Sequence, residues 1–335
     1  MSPVPDKIAV IGAGSWGTAL AIQLARNGNP VSLWGHERDE MREMAAARRN
    51  SRYLPGVAFP DPLLPCVELD EALDAAVEVL VVVPSHAFRP VVRRLLREMP
   101  VDAGLSWATK GLEQGSGKLL HEVASEESGN PKRLAVLSGP TFAMEVARGL
   151  PTAIVSASSH RPRAEALARR VHADTFRAYI SDDIVGVEIG GASKNVMAIA
   201  AGIADGLGFG ANTRAALITR GLAEIRRLGL ALGAHSDTFM GLTGIGDLAL
   251  TCTDDQSRNR RFGLALAKGI GVDAAREAIG QEVEGYAASL AVYRKGHELG
   301  VEMPITEQVY QVLYRGLDPR DAVRALLSRE QKAED

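Results

Sequence analysis

Lys7-Ile8-Ala9-Val10-Ile11-Gly12-Ala13-Gly14-Ser15-Trp16-Gly17 is the stretch on which the fold turns. Ile8–Ile11 is an apolar, β-branched run that predicts a strand. Ser15–Asn27 predicts a helix, with apolar residues at Ala19, Leu20, Ile22, Leu24 and Ala25. Between them lies G-x-G-x-x-G. In that context the first Gly permits a tight turn, the second lets backbone approach a pyrophosphate, and the third lets helix and strand pack closely. The start of the helix adds unpaired N–H groups and the positive end of its dipole. Gly12, Gly14, Ser15, Trp16 and Gly17 are therefore the candidate dinucleotide contacts.

Working outward, Val31–Trp34 predicts a second strand and Glu37–Arg49 a charged helix. Val77–Val83 is nearly all apolar, as a strand buried on both faces of a parallel sheet should be. Further strands are expected at Gly104–Ala108, Leu134–Leu137 and Thr152–Ser156. Alternation of this kind implies βαβ units and a doubly wound sheet. After about Tyr179 the β-branched runs vanish, and Ala, Leu, Glu and Arg recur at helical spacing, as in Thr213–Leu232. The expected fold class is α/β, a Rossmann-like domain over residues 1–181 followed by an all-helical domain over 182–335.

Composition agrees with two domains, since 335 residues exceed what one hydrophobic core usually serves. A net charge of −3, with the basic residues mixed among acids, argues against a nucleic-acid surface or an electrostatic membrane dock. The two cysteines, Cys66 and Cys252, suggest neither a metal cage nor a disulfide framework, which fits a reducing compartment. Met1–Lys7 lacks the features of a signal peptide. Apolar runs such as Val77–Val83 fall short of the ~20 residues of a spanning helix, so no stable membrane insertion and a cytoplasmic location are expected. Gln331–Asp335 reads as a polar tail.

The end of the second strand bears on the choice of nicotinamide dinucleotide. NAD sites usually place Asp or Glu there for the ribose hydroxyls. Here the chain reads Trp34-Gly35-His36-Glu37-Arg38. His36 and Arg38 suit a 2′-phosphate, which tips the balance slightly to NADP, while Glu37 leaves NAD open. The same residues also fit a solvated helix start. Pro84-Ser85-His86 follows Val77–Val83 at its carboxyl end, and His86 is either a cofactor neighbour or a structural histidine.

Four more segments stand out: Ala108–Glu113 (ATKGLE), Ser138–Ala143 (SGPTFA), Gly190–Asn195 (GGASKN), and Gly244–Asp247 running on through Thr251-Cys252-Thr253 to Ser257–Gly263. Reducing a ketone takes hydride at carbon and a proton at oxygen. Lys194, behind Gly190-Gly191-Ala192, sits where a ligand could approach closely. At a reference pKa of roughly 10.4 a lysine needs desolvation and a second cation, for which Lys110 is the candidate, to exchange protons near neutrality. Asp247 reads as a carboxylate that positions Lys194 or accepts from a substrate hydroxyl, or as a turn or cap residue. Ser257, Arg258 and Asn259 together supply hydroxyl, guanidinium and amide donors suited to phosphate, whereas Arg260 and Arg261 read as a solvated basic helix start. Thr141 also fits a helix N-cap.

These strings, in this order and spacing from Lys7 to about Leu327, closely resemble the soluble NAD(P)-dependent glycerol-3-phosphate dehydrogenases. The run T-G-I-G-D-L-A-L-T-C-T…S-R-N-R-R-F-G is the most specific. The resemblance implies a 6-phosphogluconate dehydrogenase-like architecture and interconversion of dihydroxyacetone phosphate and sn-glycerol 3-phosphate, which supplies phospholipid synthesis. It implies that Lys194 is the acid–base and that Lys110 meets both cofactor and substrate. Gly139, Thr141, Asp247, Ser257, Arg258 and Asn259 would hold substrate; Ala143, Arg258, Glu282 and Glu284 would touch the cofactor. A homodimer is implied and no metal. The chain departs from the usual pattern at Ser193 and Glu282, where apolar residues are common, and at Met144, where Lys is frequent. Two other readings are a related dehydrogenase of a small hydroxy acid or sugar phosphate, and a non-catalytic NAD(P) sensor. The Ser257-Arg258-Asn259 donors and the Ser138–Ala143 loop favour a small phosphorylated ketone over the first, and the retention of Lys110 and Lys194 counts against the second.

Overall fold

The computed structural model describes residues 6–330, so the tail at 331–335 and most of the N-terminal segment lie outside the described residues. The chain divides into two compact units, one running to Glu113 and resuming over Lys118–Glu188, the other comprising Gln114–Gly117 and the chain from Ile189.

In the first unit β1 (Lys7–Ile11), α1 (Ser15–Arg26), β2 (Val31–Trp34), α2 (Arg38–Ala47), β3 (Leu63–Cys66) and α3 (Leu69–Leu73) follow in order. Next come β4 (Ala76–Val81), α4 (Ser85–Glu98), β5 (Gly104–Trp107), α5 (Leu120–Ser128) and β6 (Leu134–Ser138). The unit ends with α6 (Ala143–Arg148), β7 (Thr152–Ala157), α7 (Arg161–Val171), β8 (Phe176–Ser181) and the first residues of α8 (Ile184–Gly206). One eight-stranded sheet has the order β3-β2-β1-β4-β5-β6-β7-β8, whose first six strands are the dinucleotide-binding arrangement. Ile8, Val10, Leu33, Leu80, Leu20 and Ile22 form the center of its core, so the alternation expected from the sequence is realised.

Two strands escaped the sequence reading, and both are edges of the sheet. β3 contains Pro65, which only an edge tolerates, and leaves Leu64 exposed. β8 reads FRAYIS, with most of its residues partly or fully exposed. β7 also runs antiparallel to β6, where parallel crossovers were expected throughout. At ~1.5 Å per residue α6 is ~9 Å long, about half the length of a five-residue strand, too short to carry the chain back across the sheet.

The center of the sheet holds a charge. Glu78, in β4, is buried and accepts from Arg163 Nη1 (2.8 Å), Arg163 Nη2 (2.5 Å) and Ser106 Oγ (2.7 Å). A bidentate guanidinium is what makes a carboxylate tolerable there.

The second unit is helical: the rest of α8, then α9 (Ala211–Ala231), α10 (Asp247–Thr253), α11 (Arg258–Ala267), α12 (Val272–Ile279), α13 (Glu284–Glu298), α14 (Pro304–Arg315) and α15 (Pro319–Leu327). α8 is apolar nearly all round. Its 23 residues and mean hydropathy of 1.2 would suffice to cross a bilayer, yet 94% of that window is buried inside the protein. A helix hydrophobic on every side belongs in a core.

α14 shows how distant residues start a helix. Its first turn has no side-chain cap of its own. Instead Glu224 of α9 accepts from the N–H groups of Ile305 (2.6 Å) and Thr306 (3.1 Å) and from the Thr306 hydroxyl (3.1 Å). These groups would otherwise be orphan donors. Glu224 is only 1% exposed, and burial pushes its carboxyl up from 4.5 to about 7, outweighing the bonds that favour the anion. Between those two values the folded chain holds a proton that the unfolded chain has released. This contribution to stability is complete below pH 4.5 and lost as pH rises through about 7. By that shift the loss is on the order of 3 kcal/mol. Urea unfolding of wild type and Glu224→Gln at pH 5 and pH 8 should show the difference between them shifting by this order; a pH-independent difference would refute the assignment.

Candidate functional site

In the first unit the turn after β1 is built by contacts that only glycine allows. Gly12 has φ +121°, and a Cβ there would lie 2.2 Å from the Val82 carbonyl oxygen. At Gly17 it would lie 1.8 Å from the Gly12 carbonyl oxygen. At Gly14 it would meet no protein atom within 4 Å. Packing therefore demands glycine at 12 and 17 but not at 14. Asn50, missed in the sequence, is fully buried and locks the turn by donating to the Ala13 carbonyl and the Thr18 hydroxyl, both at 2.9 Å. Its only sequence signal is an Asn following a helix. Ser15 and Trp16 open α1, and the buried Trp16 Nε1 has no hydrogen-bond partner among the described residues.

After β2, the His36 side chain is 84% exposed and stands 3.1 Å from Glu37. Arg38 is engaged by Glu68, with Nη1 3.2 Å from Oε2. His86 lies exposed in the first turn of α4.

Lys110, Gly139 and Thr141 meet at one atom. Lys110 Nζ donates to the Gly139 carbonyl at 3.4 Å, and the Thr141 hydroxyl donates to it at 3.3 Å. Gly139 has φ +154°, with the Ile154 Cα 3.2 Å from where its Cβ would be. Thr141 is not the cap of α6; that position is Phe142, without a side-chain bond, and Ala143 is the first helical residue. Arg26 of α1 fixes this helix by donating to the carbonyls of Val146 (3.3 Å) and Ala147 (2.6 Å). Met144, one of the departures, packs half-buried on the core.

In the second unit Lys194 is 8% exposed, and its Nζ donates to Asp247 Oδ1 at 2.5 Å and to the Thr251 hydroxyl at 2.9 Å. Asp247 is fully buried at the first position of α10. A kinked turn, Leu242–Gly246, broken at Gly244 (φ −96°, ψ −106°), delivers it there. Gly190 makes the approach possible, because a Cβ on it would lie 2.1 Å from the Thr243 carbonyl oxygen. The expected role of the small residues before Lys194 is thus corrected: Gly190 admits protein backbone. Of the three readings of Asp247, the geometry matches the carboxylate that positions Lys194. Thr251 was quoted in a motif but not singled out; its hydroxyl donates back to the Asp247 carbonyl at 2.6 Å, the i−4 habit of Thr in helices.

The phosphate-suited residues fall at the start of α11. The Ser257 hydroxyl caps that helix, accepting from Arg260 N at 3.2 Å. Asn259 donates to Asn195 Oδ1 (2.9 Å) and accepts from Gly285 N (2.9 Å), so its amide joins α8, α11 and α13. Asn195 in turn reaches Glu284 at 3.5 Å. Arg258 is half-buried, with Nη1 3.4 Å from Gln281, next to exposed Glu282. Arg260 is not the solvated charge expected: it is buried, pairing with Asp205 at 2.6 Å and with Asp255. The Ser193 hydroxyl is fully buried with no hydrogen-bond partner among the described residues. Burial pushes the nearby Cys252 thiol up to about 12, which leaves it an inert apolar filler. Among the described residues no group of His, Cys, Asp and Glu is placed to hold a metal ion.

A Rossmann turn in one unit and a carboxylate-paired, buried lysine in a helical one are the parts of a two-domain, dinucleotide-dependent oxidoreductase. Comparison with known proteins narrows the class. Residues 7–164 match the N-terminal profile, and 183–324 the C-terminal profile, of NAD-dependent glycerol-3-phosphate dehydrogenase. The chain is 58% identical over 325 residues (97% of it, 94% of the relative) to the glycerol-3-phosphate dehydrogenase [NAD(P)+] of Nitrosococcus oceani. It is 56% identical over 335 residues, all of both chains, to that of Pseudoalteromonas translucida. The crystal structure of glycerol-3-phosphate dehydrogenase from Coxiella burnetii superposes with a TM-score of 0.94 at 48% identity, covering 98% of this chain and 100% of that one. The chain belongs to the NAD-dependent glycerol-3-phosphate dehydrogenase family.

The Lys194–Asp247 pair makes a prediction independent of activity. Removing one partner strands a buried charge, so Asp247→Ala should destabilise by ~3–5 kcal/mol. The double substitution Lys194→Met/Asp247→Leu should recover most of that in denaturant unfolding. Equal losses in the single and double variants would show that the pair does not govern stability here.

Proposed function

We propose that this chain reduces dihydroxyacetone phosphate to sn-glycerol 3-phosphate with NAD(P)H, reversibly, and so supplies the glycerol backbone of phospholipids. The observation that carries this reading is the Lys194 ammonium, held by Asp247 and Thr251 in a buried site within a chain of this family. The anion beside the amine stabilises its protonated form, the form able to give up a proton. Within the helical unit the charged neighbour that the amine meets at hydrogen-bond distance is a carboxylate.

The cofactor fits the residues present. Packing does not require glycine at 14, which leaves close approach by a pyrophosphate as the reason for it. The first N–H groups of α1, Trp16 Nε1, Lys110 and Ala143 would supply further contacts, and the family resemblance adds Arg258, Glu282 and Glu284. We favour NADP slightly over NAD, because the exposed His36 imidazole, with Arg38 two residues on, suits a 2′-phosphate, while Glu37 at 3.1 Å from His36 leaves NAD open.

When bound, NAD(P)H supplies the hydride for the carbonyl carbon. Lys194 gives its proton to the carbonyl oxygen, and Asp247 and Thr251 fix the direction of that N–H. Arg258 and the first N–H groups of α11 attract the phosphate. Ser257 and Asn259 shape this corner, and Gly139 and Thr141 bring Lys110 to the substrate. Residues 1–181 would then be the cofactor domain and 182–335 the catalytic one. Unpaired Cys66 and Cys252 support a cytoplasmic location, and burial of α8 within the core supports the absence of membrane insertion. A homodimer follows from the family resemblance.

Initial rates with dihydroxyacetone phosphate and each reduced dinucleotide test the reaction directly. Lys194→Ala should lower turnover at least ~100-fold, the low end for losing a positioned acid–base group; a near-normal rate would discard the role. For Arg258→Ala the KM for the phosphorylated ketone should rise ~10-fold or more, and an unchanged KM would count against the phosphate site.

A further inference from the structure

We propose that Arg89 is a positioning residue for this reaction: by clasping Glu113 it holds the hairpin that begins at Lys110, and with it the Lys110 ammonium at the Gly139 carbonyl. The proposal rests on the reading of Lys110 as a contact for cofactor and substrate.

Before Lys110 the chain is anchored to the end of β4. Ala108 N donates to the Val81 carbonyl (2.9 Å), and the Thr109 hydroxyl donates to the Val83 carbonyl (2.8 Å) while accepting from Val83 N (3.2 Å). Beyond Lys110 the direction changes at Gly111, whose φ of +120° suits glycine. A hairpin follows, with Leu112 bridged to Leu119 and Glu113 N donating to the Lys118 carbonyl at 2.9 Å. Both leucines are buried. Its polar side is held by charge. Arg89 of α4 presents Nε to Glu113 Oε1 at 2.5 Å and Nη2 to Glu113 Oε2 at 2.8 Å, the parallel fork that a guanidinium offers and an ammonium cannot.

Arg89 is itself held from behind. It donates to Glu127 (2.7 Å) and Glu126 (3.0 Å) of α5, and Arg93 adds two bonds to Glu127 at 2.9 and 2.7 Å. Lys118, on the other limb of the hairpin, pairs with Glu126. Three cations and three carboxylates thus close a ring through α4, α5 and both limbs. The Arg89 and Glu113 side chains are 24% and 16% exposed, so water screens their pair only partly.

A half-sheltered surface ring adds little to global stability, yet a fork fixes orientation. Misplacing Lys110 by an ångström is enough to weaken what it holds. The consequence should therefore appear in binding more than in folding.

The test is a double-mutant cycle. Arg89→Met should raise the KM for dihydroxyacetone phosphate and the NADPH dissociation constant (by protein fluorescence) ~10-fold, with kcat within about threefold. Arg89→Lys should recover only part of this, because it lacks the fork. In a Lys110→Met background, Arg89→Met should add no more than about twofold. Unchanged constants in Arg89→Met, or the full increase repeated without Lys110, would overturn the proposal. Should Arg89→Met not fold, Glu113→Gln removes the clasped charge and leaves the α4–α5 contacts; the same outcomes decide. A wild type that fails to turn over the ketone would sink the reaction alone, since the NADPH constants still judge the clasp.

Discussion

A protonated amine cannot be taken out of water without compensation worth several kcal/mol. In this protein it comes from Asp247 and Thr251, both within hydrogen-bonding distance of Lys194 Nζ. Much of the helical unit follows from that requirement. α8 must be apolar around the lysine to exclude water, and α10 must come close enough to lend a carboxylate. Gly190 removes the side chain that would strike the Thr243 backbone, and the kinked turn after Gly241 aims Asp247 inward. The glycine, the irregular turn and the acid are one device.

The Rossmann unit solves a different problem by the same means. There the chain brings backbone against backbone, Gly12 on Val82 and Gly17 on Gly12, so that the first turn of α1 stands at the end of β1. Asn50 and Arg26 add polar ties, one locking the turn and the other setting α6 against α1. In both units close backbone packing creates the geometry, and buried polar side chains keep it from relaxing.

What the sequence revealed, and what it hid, divides along the same line. The G-x-G-x-x-G turn, the alternation of strand and helix, and the helical periodicity after Tyr179 are local signals, and the structure bears them out. Lys194 and Asp247 were legible because they sit in conspicuous glycine-rich strings. β3 and β8 were not, because edge strands lack a continuous apolar run. The antiparallel β7 depends on how short α6 is, and a boundary error of two residues would conceal it. Asn50, Thr251, Glu224 and Arg89 act through partners that proximity in the fold supplies. Glu224 lies 81 residues from the N–H of Ile305 that it accepts. Nothing about an isolated glutamate in a helix announces that it will cap another.

The pair at the proposed center also shapes the direction of its chemistry. Ammonium and carboxylate together are neutral, so Lys194 would contribute little net attraction for a phosphate, and in the proposed site that task falls to Arg258 and the start of α11. In the proposed reaction, a lysine that has given its proton to the ketone oxygen would leave Asp247 a buried anion facing a neutral amine. That state is unfavourable by the same desolvation that the ion pair offsets. The Thr251 hydroxyl, now directed to the Asp247 carbonyl at 2.6 Å and lying 3.4 Å from Oδ1, is a donor near enough to rotate toward the carboxylate. In that proposed cycle the neutral amine beside the buried carboxylate would be electrostatically unfavourable, and recapture of a proton would restore the pair. On that reading the carboxylate that orients the amine would also favour its reprotonation.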